Sequence, residues 1–291
     1  MDEYWSRHTV RAPSFLTRRR SERYLKWRFD QYPLFRELTG LWGDHDGEAV
    51  LDYGCGPGND LVGLALYTRA ARIVGMDVSR TALGLAADRL ALHRVDPGRV
   101  ELVELSDSQP RVPLEDESVN YVQCLGVLHH TSEPDLILRE LHRVLRPGGR
   151  ACVMVYNRDS VWFHLYTAYE RMVLEGAFPG LGVQEAFARN TDGPECPISR
   201  SYPAPGFAAL CERAGFEARY LGGYLSRREL NSLAESRERA IADERLGREH
   251  RDFLRELTLD PSGYPMYRGL YAGIGGVYEL RRAADPSGSP S

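Results

Sequence analysis

The chain has 291 residues, 43% hydrophobic and 27% charged, with a formal net charge of −4. That length suits one large domain with insertions, and the balance is that of an ordinary soluble globular protein. The acidity argues against a dedicated nucleic-acid binder, no stretch reaches the ~20 apolar residues of a membrane helix, and MDEYWSRHTVRAPSF lacks the apolar core of a secretory signal. Cysteines 55, 124, 152, 196 and 211 form no CxxC pair, so they read as reduced thiols of a cytoplasmic protein, not as disulfides or zinc ligands. Of the 37 basic residues only Lys26 is lysine. A GC-rich genome gives that bias. So does the use of guanidinium forks to grip a phosphate or carboxylate, and composition alone does not separate the two.

In chain order, residues 1–46 are rich in arginine and aromatics and read as a helical lid, with a helix over Ser21–Tyr32 stopped by Pro33. Residues 47–283 read as a core in which strands alternate with helices. Strands are expected at 49–53, 72–77, 100–105, 119–124 and 150–155, with helices over Arg80–His93 and Glu133–Leu145. The second helix stops at Arg146-Pro147-Gly148-Gly149. This alternation predicts an α/β fold, a mostly parallel sheet with helices on both faces. An aromatic helix follows over Ser160–Glu175, then a Pro- and Gly-rich loop over Phe178–Pro205. A helix over Phe207–Ala214, a strand over Phe216–Leu221, a charged helical region over Ser226–Leu257 and a last strand near Tyr278-Glu279-Leu280 complete the core. Insertions at about 160–205 and 225–270 are thus expected to act as lids. The Pro/Ser/Gly tail 284–291 reads as disordered.

The chemistry is concentrated in Val50-Leu51-Asp52-Tyr53-Gly54-Cys55-Gly56-Pro57-Gly58, at a strand-to-helix turn. Its glycines allow positive φ and close approach of a ligand. A dinucleotide pyrophosphate on a helix N-terminus is one reading. However, Asp52 beside the loop would repel phosphate and favour a cationic ligand. Asp77, 19 residues past Gly58, ends the second strand where a carboxylate accepts ribose hydroxyls.

With these residues the sequence resembles the class I S-adenosylmethionine (SAM) methyltransferases, from about Ala49 to Tyr156 and again over 207–221. The resemblance implies a Rossmann-like sheet of seven strands and SAM as cofactor. It places Asp52, Gly54, Gly56 and Gly58 at the methionyl part, and Asp77 with Val78 at the ribose. Asp107, in Ser106-Asp107-Ser108, is placed at the adenine. Leu125 also contacts the cofactor, just before Gly126-Val127-Leu128-His129-His130, and Arg146-Pro147-Gly148-Gly149 forms the turn before the fifth strand. Asn120 departs from the aspartate that many relatives carry. Methyl transfer from SAM is an in-line displacement that requires alignment, exclusion of water and, for some acceptors, removal of a proton.

His130 is a candidate base at the sheet edge. The competing assignment is packing for His129 and turn capping for His130. On the aromatic helix, Trp162, Tyr166 and Tyr169 share a face at α-helical spacing, with Glu170 close by. One reading is an ordinary amphipathic lid. The other is an aromatic wall that steadies a carbocation by cation–π contact, with Glu170 taking the proton. Arg200, Tyr202 and Arg268 are candidate substrate contacts. Together these suggest C-methylation of an isoprenyl diphosphate such as geranyl diphosphate, with Mg²⁺ on the diphosphate and no metal bound by the protein itself. O-methylation of a phenol, polyketide or sugar hydroxyl is the alternative, and a SAM-binding protein without turnover is the third reading. The expected partner is a small molecule rather than nucleic acid, with self-association left open.

Overall fold

The computed structural model describes residues 4–5, 14–106 and 111–283. Five strands form the parallel part of the sheet: β1 (Ala49–Tyr53), β2 (Arg72–Asp77), β3 (Val100–Glu104), β4 (Val119–Leu125) and β5 (Leu145–Asn157). The two-residue β6 (Ser201–Tyr202) pairs with β5. Beyond β5 lie β7 (Phe216–Tyr224) and β11 (Gly275–Arg282), in the order β3-β2-β1-β4-β5-β11-β7. Strand β11 is antiparallel to both neighbours, and the pairs among β1 to β5 are parallel. The sheet therefore has the expected architecture, with eight strands where seven were anticipated. Short strands β8 (Thr258–Leu259), β9 (Pro265–Tyr267) and β10 (Leu270–Tyr271) form a separate antiparallel sheet.

Strand periodicity divides the interior into two cores. Along β5, Ala151, Val153 and Val155 face one core while Cys152 and Met154 face the other; in β1, Leu51 and Val50 divide the same way. The first core is closed by α5 (Pro134–Val144) and α7 (Ala204–Arg213), the second by α2 (Phe35–Thr39), α3 (Leu61–Tyr67) and α4 (Arg80–Leu92). Strand order reverses between β1 and β4, so the crevice at their C-terminal ends is where a ligand is expected in such a sheet.

Helix α1 (Arg18–Gln31) starts at Thr17, whose Oγ1 accepts from Arg20 N, and lies over that crevice. Arg89 Nε and His93 Nε2 meet Ser21 Oγ at 2.7 and 2.9 Å, tying α1 to α4. A third core lies under the lid, where Leu165, Ala168 and Tyr169 pack on Ala240, Phe253 and Leu254 of α8 (Arg227–Ala242) and α9 (Arg248–Glu256).

Three local expectations need correction. The segment 178–205 is not all loop: Val183–Asp192 forms helix α6, starting after Gly182 and ending at Gly193, which has φ 89°. Strand β5 begins at Leu145, so the Pro-Gly-Gly segment belongs to the extended chain. The aromatic helix, Trp162–Leu174, is wound as a π-helix, its end marked by Glu175 N donating to Glu170 O. The i→i+5 pattern widens the turn beyond 3.6 residues. Tyr166 therefore stays above Trp162, with ring centroids 4.6 Å apart, while Tyr169 rotates away into the lid core and is 2% exposed.

Candidate active site

The crevice holds a cavity of about 750 Å³ whose floor is the loop after β1, with Gly54, Cys55, Gly56 and Pro57 lining it. Gly54 has φ 77°, and a Cβ there would sit 2.2 Å from Val127 Cγ2. Gly56 has φ 53°, and its open side meets nothing within 4 Å. The loop is thus pressed against the β4 turn while presenting bare backbone to the cavity. Gly58 does not line the cavity; a Cβ on it would press on Ala86 of α4 at 3.1 Å, so it serves helix packing.

Asp77 lines the cavity at the end of β2. Its Oδ2 accepts Gly56 N–H and its Oδ1 accepts Ser79 N–H, both at 2.8 Å. Each oxygen keeps acceptor capacity for a ligand hydroxyl. Val78, Ser106 and Leu125 continue the wall. Asp107 lies outside the described residues, as does the tail 284–291. From above, Tyr24, Arg28 and Tyr32 of the α1 region close the space, and Arg28 forms a bidentate pair with Asp60.

Asp52 sits beneath the loop, 3% exposed and outside the cavity lining. Gln123 Nε2 donates to its Oδ1 at 3.3 Å, and its Oδ2 has no partner among the described residues. Burial pushes its pKa up to about 8, helped by the charges of Asp60 and Asp77. An acid that titrates at 3.8 when unfolded and near 8 when folded removes stability as pH rises between those values. Asp52→Asn should therefore raise the melting temperature of the cofactor-free protein more at pH 8 than at pH 5, as scanning calorimetry would show. An equal change at both pH values would mean that Asp52 is already ionised.

A bare glycine face and a carboxylate at the end of β2 that keeps acceptor capacity together fit SAM. Asp77 would hold the ribose, and the loop would hold the methionyl end.

The other half of the cavity is aromatic and titratable. The turn Leu128–His130 after β4 brings His129 and His130 to the cavity, and Tyr156 reaches it from the end of β5. His129 is packed face to ring on Tyr156, with centroids 3.8 Å apart. Burial holds its pKa well below 6.5. His130 donates Nδ1–H to Ile198 O at 2.8 Å, which leaves Nε2 as the acceptor nitrogen. That Nε2 stands 3.8 Å from Asp192 Oδ1. Burial lowers the His130 pKa, and the Asp192 carboxylate opposes that shift.

Asp192 is itself fixed. Tyr156 OH donates to its Oδ1 at 2.8 Å and Ser199 Oγ to its Oδ2 at 2.6 Å. His130, Asp192 and Cys196 bring one donor atom each within 4.8 Å of one another. This grouping crosses three segments, so the spacing of the cysteines did not announce it. The His130 and Cys196 donors are both spent on the carbonyl of Ile198.

The remaining expected substrate contacts lie elsewhere. Glu170 does not line the cavity. It is 6% exposed under α8 and accepts from Arg228 Nη2 (2.6 Å), Ser232 Oγ (3.0 Å) and Ser236 Oγ (2.7 Å). These donors recur every four residues on one face of α8. Tyr166 meets Trp162 edge-on without lining the cavity, and Tyr169 is in the lid core. Arg200 reaches back to Thr131 O, Tyr202 packs on Phe207, and Arg268 is exposed beside Tyr267. None of these three lines the cavity. Sequence reading passed over Asp192, Tyr156, Arg227 and Arg228, which do.

A Rossmann-like sheet with this glycine loop and a carboxylate closing β2 has the class I SAM-binding fold. The family profile described as a methyltransferase domain matches residues 44–186. Over residues 44–186 the chain matches that methyltransferase-domain family, and its fold is that of the class I SAM-dependent methyltransferases. It is 30% identical over 175 residues to an Aspergillus luteorubrus protein named "Probable methyltransferase ltbC", covering 58% of this chain and 57% of that one. It is 29% identical over 119 residues to the ubiquinone biosynthesis O-methyltransferase of Pseudomonas syringae pv. tomato, covering 39% and 46%. The chain thus spans about half the length of these curated relatives.

Among solved structures, Haemonchus contortus phosphoethanolamine N-methyltransferase 2 superposes with a TM-score of 0.56 at 16% identity, covering 98% of this chain and 60% of that one. The [4+2]-cyclase SpnF superposes at 0.51 and 20%, covering 91% and 82%. At such identities the likeness is one of fold. No helix among the described residues is long and apolar enough to cross a membrane.

Proposed function

We propose that the protein transfers the methyl group of SAM to a hydroxyl of an aromatic small molecule, with His130 as general base. The observation that carries the reading is the fixed tautomer of His130, a cavity-lining residue: Nδ1–H is spent on Ile198 O, so Nε2 is the proton-accepting nitrogen, and Asp192 stands near it to stabilise the imidazolium that results. When bound, the cofactor supplies an electrophilic methyl group on a sulfonium. The loop and Asp77 would fix its position, and Trp162 and Tyr156 offer flat apolar surface for the acceptor ring. Helix α1 and the start of α8 cover the cavity and limit water. Carbon methylation of a diphosphate has less support: Glu170 is engaged by three donors outside the cavity, and neither Arg200 nor Arg268 reaches it.

The test is transfer from methyl-labelled SAM to a panel of phenols, catechols and prenyl diphosphates. Label on oxygen of a phenol or catechol is expected. Label on carbon of a prenyl diphosphate would overturn the reading. SAM binding without turnover on any member would leave a binding protein.

A further inference from the structure

Three arginines line the cavity, Arg28, Arg227 and Arg228. The charge of Arg28 is answered by Asp60 beside the glycine loop. Arg227 gives Nε to the backbone carbonyl of Asp30 at 2.8 Å, and among the described residues no carboxylate pairs with it. Arg228 is held on two sides: Nη2 donates to Glu170, and the guanidinium lies 4.6 Å over the Tyr166 ring. Glu170 is pinned by Ser232 and Ser236, so it cannot turn into the cavity without losing both bonds. The neighbouring acid, Glu229, is fully buried and occupied by Ser226 and by Trp162 N–H. Arg228 is therefore balanced by Glu170 while Arg227 has no carboxylate partner among the described residues, which leaves positive charge where the two arginines line the cavity.

A chain of contacts joins Arg228 to the candidate base, through Tyr166 behind the cavity and Trp162 in its lining. Tyr166 under Arg228 packs on Trp162 at 4.6 Å. Trp162 Nε1 donates to Thr191 Oγ1 at 3.0 Å, and Thr191 precedes Asp192, which faces His130. We infer that Arg228, with Arg227 beside it, recognises a carboxylate of the acceptor, and that the acceptor class is hydroxylated aromatic acids. A flat ring on Trp162 would place its hydroxyl toward His130 and its acid group toward the arginines. A planar fork suits a carboxylate, and an aromatic backing keeps it oriented. The inference rests on the reading above for the acceptor's location. It deepens that reading by naming the substrate class.

The experiment is titration calorimetry with saturating S-adenosylhomocysteine, using hydroxybenzoic, hydroxycinnamic and hydroxynaphthoic acids, each beside its own methyl ester. The acid of at least one pair should bind about tenfold or more tighter than its ester, and added salt should shrink the difference. Arg228→Gln should bring acid and ester within about twofold of each other and leave S-adenosylhomocysteine affinity unchanged. Arg227→Gln, which leaves the Glu170 pair intact, should reduce the preference in part, so the outcome survives if Arg228→Gln folds poorly.

Three outcomes would overturn the inference: no preference for acid in any pair, a preference that survives both substitutions together, or a loss of S-adenosylhomocysteine binding that matches the loss for acids. The last would assign the guanidinium to the cofactor. Because binding is read without turnover, failure of His130 as base shows separately, as normal methylation by His130→Gln with the acid preference intact.

Discussion

Replacing His130 with glutamine should lower kcat roughly 10²- to 10⁴-fold, the span of a lost general base, while cofactor affinity stays within about twofold. Glutamine keeps a donor for the Ile198 carbonyl and removes the basic Nε2. Burial sets the imidazole pKa below its ordinary 6.5. In the wild type, activity should therefore climb with pH along a limb that lies below the ordinary imidazole range and then level off. His130→Gln should lack that limb. Asp192→Asn should move the limb to lower pH, because the carboxylate that favours the charged ring is gone. In Asp192→Asn one of Tyr156 and Ser199 can still donate to the amide oxygen and the other hydroxyl can rotate to accept from the amide N–H, so the variant tests charge more than folding. The measurements are kcat against pH and cofactor titration for each variant. Normal turnover by His130→Gln would remove the base assignment.

The parts of this site that were legible in the sequence are those where one short segment carries both the fold signal and the chemistry. Asp52 to Gly58 is a strand, a turn and a helix approach in one run. Asp77 ends the next apolar run, and the sheet then fixes both at the switch point without further information. Glu170 was misjudged because its partners lie 58 to 66 residues downstream, on a helix that looked merely charged. The stripe Arg228, Ser232, Ser236 is visible once α8 is drawn, but nothing local ties it to Glu170.

The π-winding removed the second support for an aromatic wall. Tyr169 shares the Trp162 face only at 3.6 residues per turn. Asp192 was hidden differently. Pro and Gly on both sides of α6 made the stretch read as loop, and its role depends on Tyr156, Ser199 and His130 arriving from three other segments. The arginine surplus was real but misdirected. Many exposed arginines pair with acids nearby, such as Arg189 with Glu185 and Arg255 with Asp252, so abundance masked the two that line the cavity.

Asp77→Ala should weaken S-adenosylhomocysteine binding by about 100-fold or more at 25 °C. The side chain does two jobs. As a ligand group it presents carboxylate oxygens at the end of β2, and as a structural group it pins the glycine loop through Gly56 N–H and the start of α4 through Ser79 N–H. Hydrogen bonds to a charged group are worth ~1.5–3 kcal/mol each, and a factor of ten is ~1.4 kcal/mol. Losing the loop bond alone thus accounts for about tenfold or more, and losing the ribose acceptor for a similar factor.

The burial that raises the Asp77 pKa is opposed by these backbone donors, so the carboxyl is held by the contacts that alanine would delete. Asp77→Asn keeps one acceptor oxygen but points amide hydrogens at a backbone N–H. It should therefore fall between wild type and Asp77→Ala in affinity, with a melting temperature a few degrees below wild type. Titration calorimetry and a thermal scan of both variants decide it. If Asp77→Ala bound the cofactor as tightly as wild type, the ribose would lie elsewhere, and the placement of SAM along this crevice would have to be redrawn from the loop outward.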